Sequence, residues 1–436
     1  MKKPFMKKLL RFTSAFLITL FLLSMIAWTL SPKSWYHKMN DFYDYPEDYD
    51  VWFLGSSHVI MGTLPEELYN EYGIRSYNLA AYGQTFAIDY WVTKNLFEIT
   101  KPKLIVLDAA QTGYDGKYQT SNISSIKLMM SSLPFGKEKI KAINDLFDSE
   151  SDKDLKTELL FPFASDHYNW EYLTKSNFHS NVSYELGSDQ NVFDQRGKSN
   201  YLLVTPTIIP EAIDVEDADM TETVNSNYLR KIIELCSDNN VEVLIVKCPL
   251  NAAKDKLQKY NQAFAIGKEY GVPYLNGFEL ENVFDGDTDM WDSSHLNSLG
   301  ARKWTHELGK YISENYTQIE TSTTSPTMKK RWDDRYENYL KFLDSELPLQ
   351  TFFYSYLMLC TNQRYELDIV IRDGSHVLND KVAMKLINSC SANIARADKN
   401  SKKPDISITV RIKNGDIIDQ AVYSFSSKTV NSYTRN

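Results

Sequence analysis

The first apolar feature of this chain is one unbroken block. Positions 12–30 carry no charged residue, and Lys2, Lys3, Lys7, Lys8 and Arg11 precede them. That length is close to the roughly 20 residues a helix needs to span a bilayer. No small-x-small cleavage site follows; Ala27 is flanked by Ile26 and Trp28. The pattern predicts a retained single-pass anchor with its basic end inside and the rest of the chain outside. A cleaved signal peptide is the alternative, and it too exports the remainder.

From position 51 the pattern changes to short apolar runs alternating with amphipathic stretches. Strands are predicted at 51–54, 76–79, 104–107, 241–246 and 273–275. Helices are predicted at 85–99, 223–236, 253–270 and 299–315. The run at 241–246 is continuously apolar, as a parallel central strand requires. Strands alternating with helices imply an α/β fold, a doubly wound parallel sheet with its ligand site beyond the carboxyl ends of the strands. The alternation fails between about 115 and 217, far longer than an ordinary connection. This insertion is rich in aromatic residues, holds a predicted helix at 137–147, and reads as a platform for substrate or partner. After 316 comes a Thr/Ser-rich linker, an amphipathic helix at 329–343, and a small α+β module with strands at 365–370, 406–412 and 420–425 and a helix at 379–388. The expected plan is a basic tail over 1–11, an anchor over 12–30, a stalk over 31–47, a catalytic domain over 48–316, a linker and helix over 317–345, and the module over 346–436.

Composition narrows the chemistry. The net charge of -9 argues against nucleic-acid binding. Cys236, Cys248, Cys360 and Cys390 form no Cys-x-x-Cys pair, so neither a zinc site nor a redox motif is expected. No metal or organic cofactor is implied.

Two stretches carry candidate catalysis. Gly55-Ser56-Ser57-His58 follows the first strand, and its turn places Ser57 as a nucleophile at the carboxyl edge of the sheet. Asp292-Ser293-Ser294-His295 lies far downstream; His295 is the expected general base and Asp292 its orienting carboxylate. The bland reading makes the first a helix-starting turn and Asp292 a helix cap, which leaves His295 idle. His58 reads as structural or substrate-facing. His167 and Trp170 are candidate substrate contacts, although burial is the commoner use of Trp.

These residues carry a resemblance. Gly55-Ser56-Ser57 resembles the first block of the SGNH (GDSL-like) hydrolase superfamily, with Ser56 where an aspartate is usual. Asn78-Leu79-Ala80-Ala81-Tyr82-Gly83 is similar to the second block, an asparagine followed five residues later by the oxyanion-hole glycine. The stretch 101–107 resembles the strand before the third block, and 292–301 is a close match to the fifth. The third block departs: Ala110-Gln111-Thr112-Gly113 contains no asparagine. Gln111 or Thr112 is the expected substitute, beside the backbone amides of Ser57 and Gly83. One missing oxyanion donor costs about 10²–10³ in rate, so the departure points away from efficient hydrolysis.

The anchor and exported domain narrow the resemblance to membrane-anchored SGNH-like proteins that partner membrane-bound O-acyltransferases (MBOAT). It implies an SGNH, flavodoxin-like fold and a Gram-positive cell membrane location. It also implies transfer of acetyl groups to an extracellular polysaccharide or of D-alanine to teichoic acid. The stretch 160–170 is similar to a Pro…His…Trp segment of that group. His58 and Ser294 favour acetyl transfer, because the D-alanylation members usually carry Gly-Ser-Ser-Glu and a different histidine loop. A carbohydrate or lipid esterase using the same residues, and a non-catalytic glycan-binding scaffold, are the alternatives.

Overall fold

The computed structural model describes residues 3–30, 39, 41–160, 202–319, 325–413, 415–425 and 433–435. Helix α1, Lys3–Leu30, covers the apolar block. Its described apolar side chains, among them Phe12, Phe16, Ile18 and Phe21, are exposed. The side chains at 20 and 24–30 lie outside the described residues, and among the described residues no helix is long and apolar enough to cross a membrane.

The larger α/β region is built on five parallel strands: β1 Val51–Leu54, β2 Ser76–Asn78, β3 Leu104–Asp108, β4 Glu242–Lys247 and β5 Tyr274–Asn276, in the order β2-β1-β3-β4-β5. All of β1 and β3 is buried. Continuous apolar strands of this kind need cover on both faces, and helices supply it. Helices α2, Ser57–Gly62, and α3, Pro65–Tyr72, connect β1 to β2. The chain then reverses direction across the sheet. Right-handed crossovers therefore put the next helices on the opposite face. These are α4 Phe86–Leu96, α8 Val224–Asp238 and α9 Lys254–Tyr270, where α8 packs against both α4 and α9. Between them in sequence, α5 Ile123–Ser132, α6 Lys137–Leu146 and α7 Lys153–Leu160 belong to the insertion. The last helix of the region, α10 Ser298–Asn315, returns to pack on α2 and α3. The reversal of strand order between β1 and β3 opens the crevice in which doubly wound sheets hold ligands.

The expected α/β class with a parallel sheet thus holds for this region, with strand and helix ends shifted by a few residues. The described stretch 115–160 of the insertion is more helical than its polar, aromatic composition suggested. Apolar residues spaced along α5 and α6, such as Ile126, Met130, Ile143 and Leu146, are fully buried in the same core.

The C-terminal module is a mixed sheet: β6 Tyr365–Arg372, β7 Ala392–Ala397, β8 Ile406–Ile412, β9 Ile417–Phe425 and β10 Tyr433–Arg435, in the order β10-β9-β8-β6-β7. Only β6 and β7 pair in parallel. On β6 the burial alternates residue by residue, with Tyr365, Leu367, Ile369 and Ile371 inward. Two elements escape the hydrophobic pattern for opposite reasons. Helix α12, Phe353–Cys360, is buried on nearly every side and so shows no polar stripe. Strand β7 is a sheet edge, mostly exposed, and shows no apolar face.

The expected linker helix is a joint between the two units. Helix α11, Pro326–Glu346, lies on α3. Arg335 donates to Glu66 and Asp41, Arg331 pairs with Asp48, and the Tyr339 hydroxyl reaches Glu67 at 3.1 Å. Trp332 enters the core of the α/β region while Tyr339 and Leu343 enter the module's core. All four cysteines are free thiols.

Candidate active site

Strand β1 ends in a turn whose shape is set by Gly55. Its φ of 152° and the absence of a side chain let Val59 and the Asp108 Cβ approach; an added Cβ would sit 2.5 Å and 2.9 Å from them. Ser57 then opens α2 with its side chain turned to the crevice. Asn78 at the end of β2 donates to the Val59 carbonyl at 3.1 Å and caps the Ala80 amide, which ties the next loop to this helix.

The second half of the site is a short hairpin before α10. Met290 and Leu296 form an isolated antiparallel bridge, and the Trp291 amide donates to the His295 carbonyl at 2.8 Å. Asn297, not Asp292, caps α10, with its side chain accepting from Leu299 and Gly300. Asp292 instead receives the Ser294 amide at 2.6 Å and faces His295 Nδ1 with both carboxylate oxygens, each at 2.9 Å. His295 Nε2 lies 2.8 Å from Ser57 Oγ. Ser57, His295 and Asp292 therefore stand in one hydrogen-bonded chain. Partial burial raises the Asp292 pKa, but the bonds from His295 and Ser294 outweigh it and hold the carboxyl below its ordinary range. It is an anion at neutral pH, suited to fix the imidazole with its proton on Nδ1 and Nε2 free for Ser57.

Gly83 and Ser57 both line a cavity of about 490 Å³ with His295. Gly83 has φ 71°, and among the described residues its N–H and that of Ser57 bond to no other group. The two amides are available to an oxyanion. The expected side-chain donors are not. Gln111 is buried and donates to the Gln84 carbonyl at 3.1 Å; Thr112 is buried and donates to the carbonyls of Ala109 and Lys259. Both sit on the short helical turn 109–113, which turns them inward to those carbonyls.

Asn122 is the side chain that lies against Gly83. It lines the cavity, and its side chain lies where a Cβ on Gly83 would be, 2.4 Å from the nearest atom. Its amide nitrogen makes only long bonds to Gln119 and Ser121, at 3.4 Å and 3.2 Å. It sits ten positions beyond Thr112, where sequence spacing pointed, and nothing in its surroundings marked it. His167 and Trp170 lie outside the described residues.

His58 also reaches the cavity, with its ring centre 5.4 Å from that of His295. Its Nδ1 lies 3.1 Å from Asp108 Oδ2, and Lys247 Nζ lies 3.4 Å from Asp108 Oδ1. Asp108 and Lys247 end the adjacent strands β3 and β4 and are buried. Burial and the Lys247 charge bring the His58 pKa down to about 4. Burial opposes ionisation of Asp108, yet Lys247 and His58 prevail and hold it well below the carboxylate range. Burial likewise opposes the Lys247 charge, and Asp108 outweighs it. The result is a buried ion pair with a neutral histidine held at its rim. No family model and no curated protein matches this chain.

Proposed function

We propose that this protein is a serine-dependent O-acyltransferase of the SGNH type, acting on a hydroxyl-bearing polymer of the cell envelope. The observation that carries the reading is the Ser57–His295–Asp292 chain of hydrogen bonds beside two unspent backbone amides. His295 takes the Ser57 proton as Oγ attacks the donor's acyl carbon. The amides of Ser57 and Gly83 hold the oxyanion, with the Asn122 side chain beside them. The donor's leaving group departs with the proton from His295. An acceptor hydroxyl then attacks the acyl-Ser57 ester, and His295 carries its proton back to Ser57.

Transfer at an envelope surface is supported by α1, whose described apolar side chains are uncovered. An exposed apolar surface of this kind is a membrane or partner contact. In this reading α1 holds the catalytic region outside the cell membrane, where an MBOAT-type partner delivers acyl groups, acetyl being favoured over D-alanyl. The cavity carries Tyr82, Tyr114, Tyr260 and Trp291 on its walls, and aromatic rings of this kind stack on sugars.

A second reading, hydrolysis of an esterified glycan or lipid, is favoured by Asn122. A third donor next to Gly83 removes the reason for expecting slow attack by water. One experiment separates the readings. Ser57→Ala in cells should abolish polymer acylation while the protein stays in the membrane fraction with an intact N-terminus by mass. Increased polymer acylation in that strain, with rapid release of acyl groups from the natural glycan by the wild-type protein, would establish the esterase instead.

A further inference from the structure

The proton shuttle described above uses His295 and leaves His58 without a part. Yet the fold commits a fully buried lysine and a buried aspartate to this one ring. Asp108 is kept anionic by Lys247, so it accepts the proton on His58 Nδ1. That fixes the tautomer: Nε2 carries a lone pair and no hydrogen. Among the described residues nothing donates to this nitrogen, and His58 lines the cavity next to His295. The ring is thus a permanent hydrogen-bond acceptor built beside the base.

Resting on the acyl-transfer reading, we propose that His58 Nε2 receives a second hydroxyl of the acyl acceptor, so that the acceptor class is a carbohydrate vicinal diol. The attacking hydroxyl donates to His295 Nε2, the nitrogen that Ser57 Oγ meets at 2.8 Å in the free enzyme and gives up once Oγ is esterified. A hydroxyl on the adjacent carbon lies within hydrogen-bonding range of the first. Ordinary hydrogen bonds from the two oxygens then bridge imidazoles whose centres are 5.4 Å apart. In the step itself the acceptor oxygen bonds the acyl carbon and its proton passes to His295. The tetrahedral adduct collapses, the bond to Ser57 Oγ breaks, and His295 returns the proton to Ser57. His58 gains and loses nothing; it aligns the diol and thereby favours it over water or an isolated alcohol.

The test uses the full chain in detergent, acylated with p-nitrophenyl acetate and supplied with cis-1,2-cyclohexanediol, its mono-O-methyl ether or cyclohexanol. The acetylated products are quantified per reactive hydroxyl. One neutral hydrogen bond predicts a preference for the diol of about 3- to 10-fold over either competitor, lost in His58→Phe. Equal transfer to diol, ether and cyclohexanol by the wild type would overturn the proposal, and this readout survives if His58→Phe fails to fold. A full diol preference in folded His58→Phe would overturn it equally. Failure to detect an acetyl group on Ser57 by mass would instead remove the acyl-transfer reading, and this inference with it.

Discussion

A buried aspartate shows at the residue scale how position decides chemistry. Asp89 looks like an ordinary charge in the first turn of α4, but it is fully buried, and burial raises its pKa to about 7. Its Oδ2 and the side-chain oxygens of Gln84 and Gln111 have no partner among the described residues. A proton on Asp89 gives this cluster the donor it lacks. Because the folded pKa lies above the unfolded one, the stabilisation is complete below about pH 4 and is lost as pH rises through about 7. At about 1.4 kcal/mol per pH unit the loss approaches about 4 kcal/mol. Asp89→Asn keeps a donor and cannot ionise. Its denaturation midpoint should therefore fall less than that of the wild type between pH 5 and 8. Parallel decline of both proteins would show that Asp89 is not protonated in the fold.

Elements bring the site's pieces together from separate parts of the chain. The turn from β1 into α2 sets Ser57, the loop after β2 brings Gly83, and the hairpin before α10 sets His295 and Asp292. A fourth contribution comes from the entrance to the insertion, where Asn122 precedes α5. Asn122 is part-exposed and outside the core, so its truncation tests function with little structural cost. Asn122→Ala should slow acylation of Ser57 by an activated ester about 10²–10³-fold, the usual loss for an oxyanion donor. Its unfolding free energy should stay within about 0.5 kcal/mol of wild type. Stopped-flow release of p-nitrophenol and denaturant melts give the two numbers; an unchanged burst rate would remove Asn122 from the oxyanion site.

Across the whole molecule, two kinds of charged contact join α11 and the module to the α/β region, and they should differ in weight. Arg335 is largely buried and meets the fully buried Glu66, so Arg335→Met strands a carboxylate. On α13, Lys381–Asn388, Lys381 and Lys385 reach Asp287 on the loop that leads to His295, and Lys385 also meets Asp285; these pairs are solvent-exposed or partly so. Arg335→Met should cost about 3–5 kcal/mol in denaturant unfolding. Lys381→Met should cost no more than about 1 kcal/mol, and less at high salt. Equal effects would mean that α11 does not seat the module through its buried arginine.

Elements whose hydrophobic pattern is local were legible along the chain. Apolar runs and their periodicity gave the parallel strands, the main helices and the module's β6 and β8. The spacing of Asp292 and His295 and the turn at Gly55-Ser56-Ser57 were legible because each depends on neighbours in the chain. What those groups meet depends on how the elements pack. It brought Ser57 within 2.8 Å of a histidine 238 residues away. It spent Gln111 and Thr112 on backbone carbonyls, placed Asn122 beside Gly83, and joined His58 to Lys247 through Asp108. The physical reason is that burial and partnership, which fix hydrogen-bond availability and pKa, belong to three-dimensional surroundings. A pattern of period 2 or 3.6 reports only which face of an element turns inward, and not which distant side chain waits there.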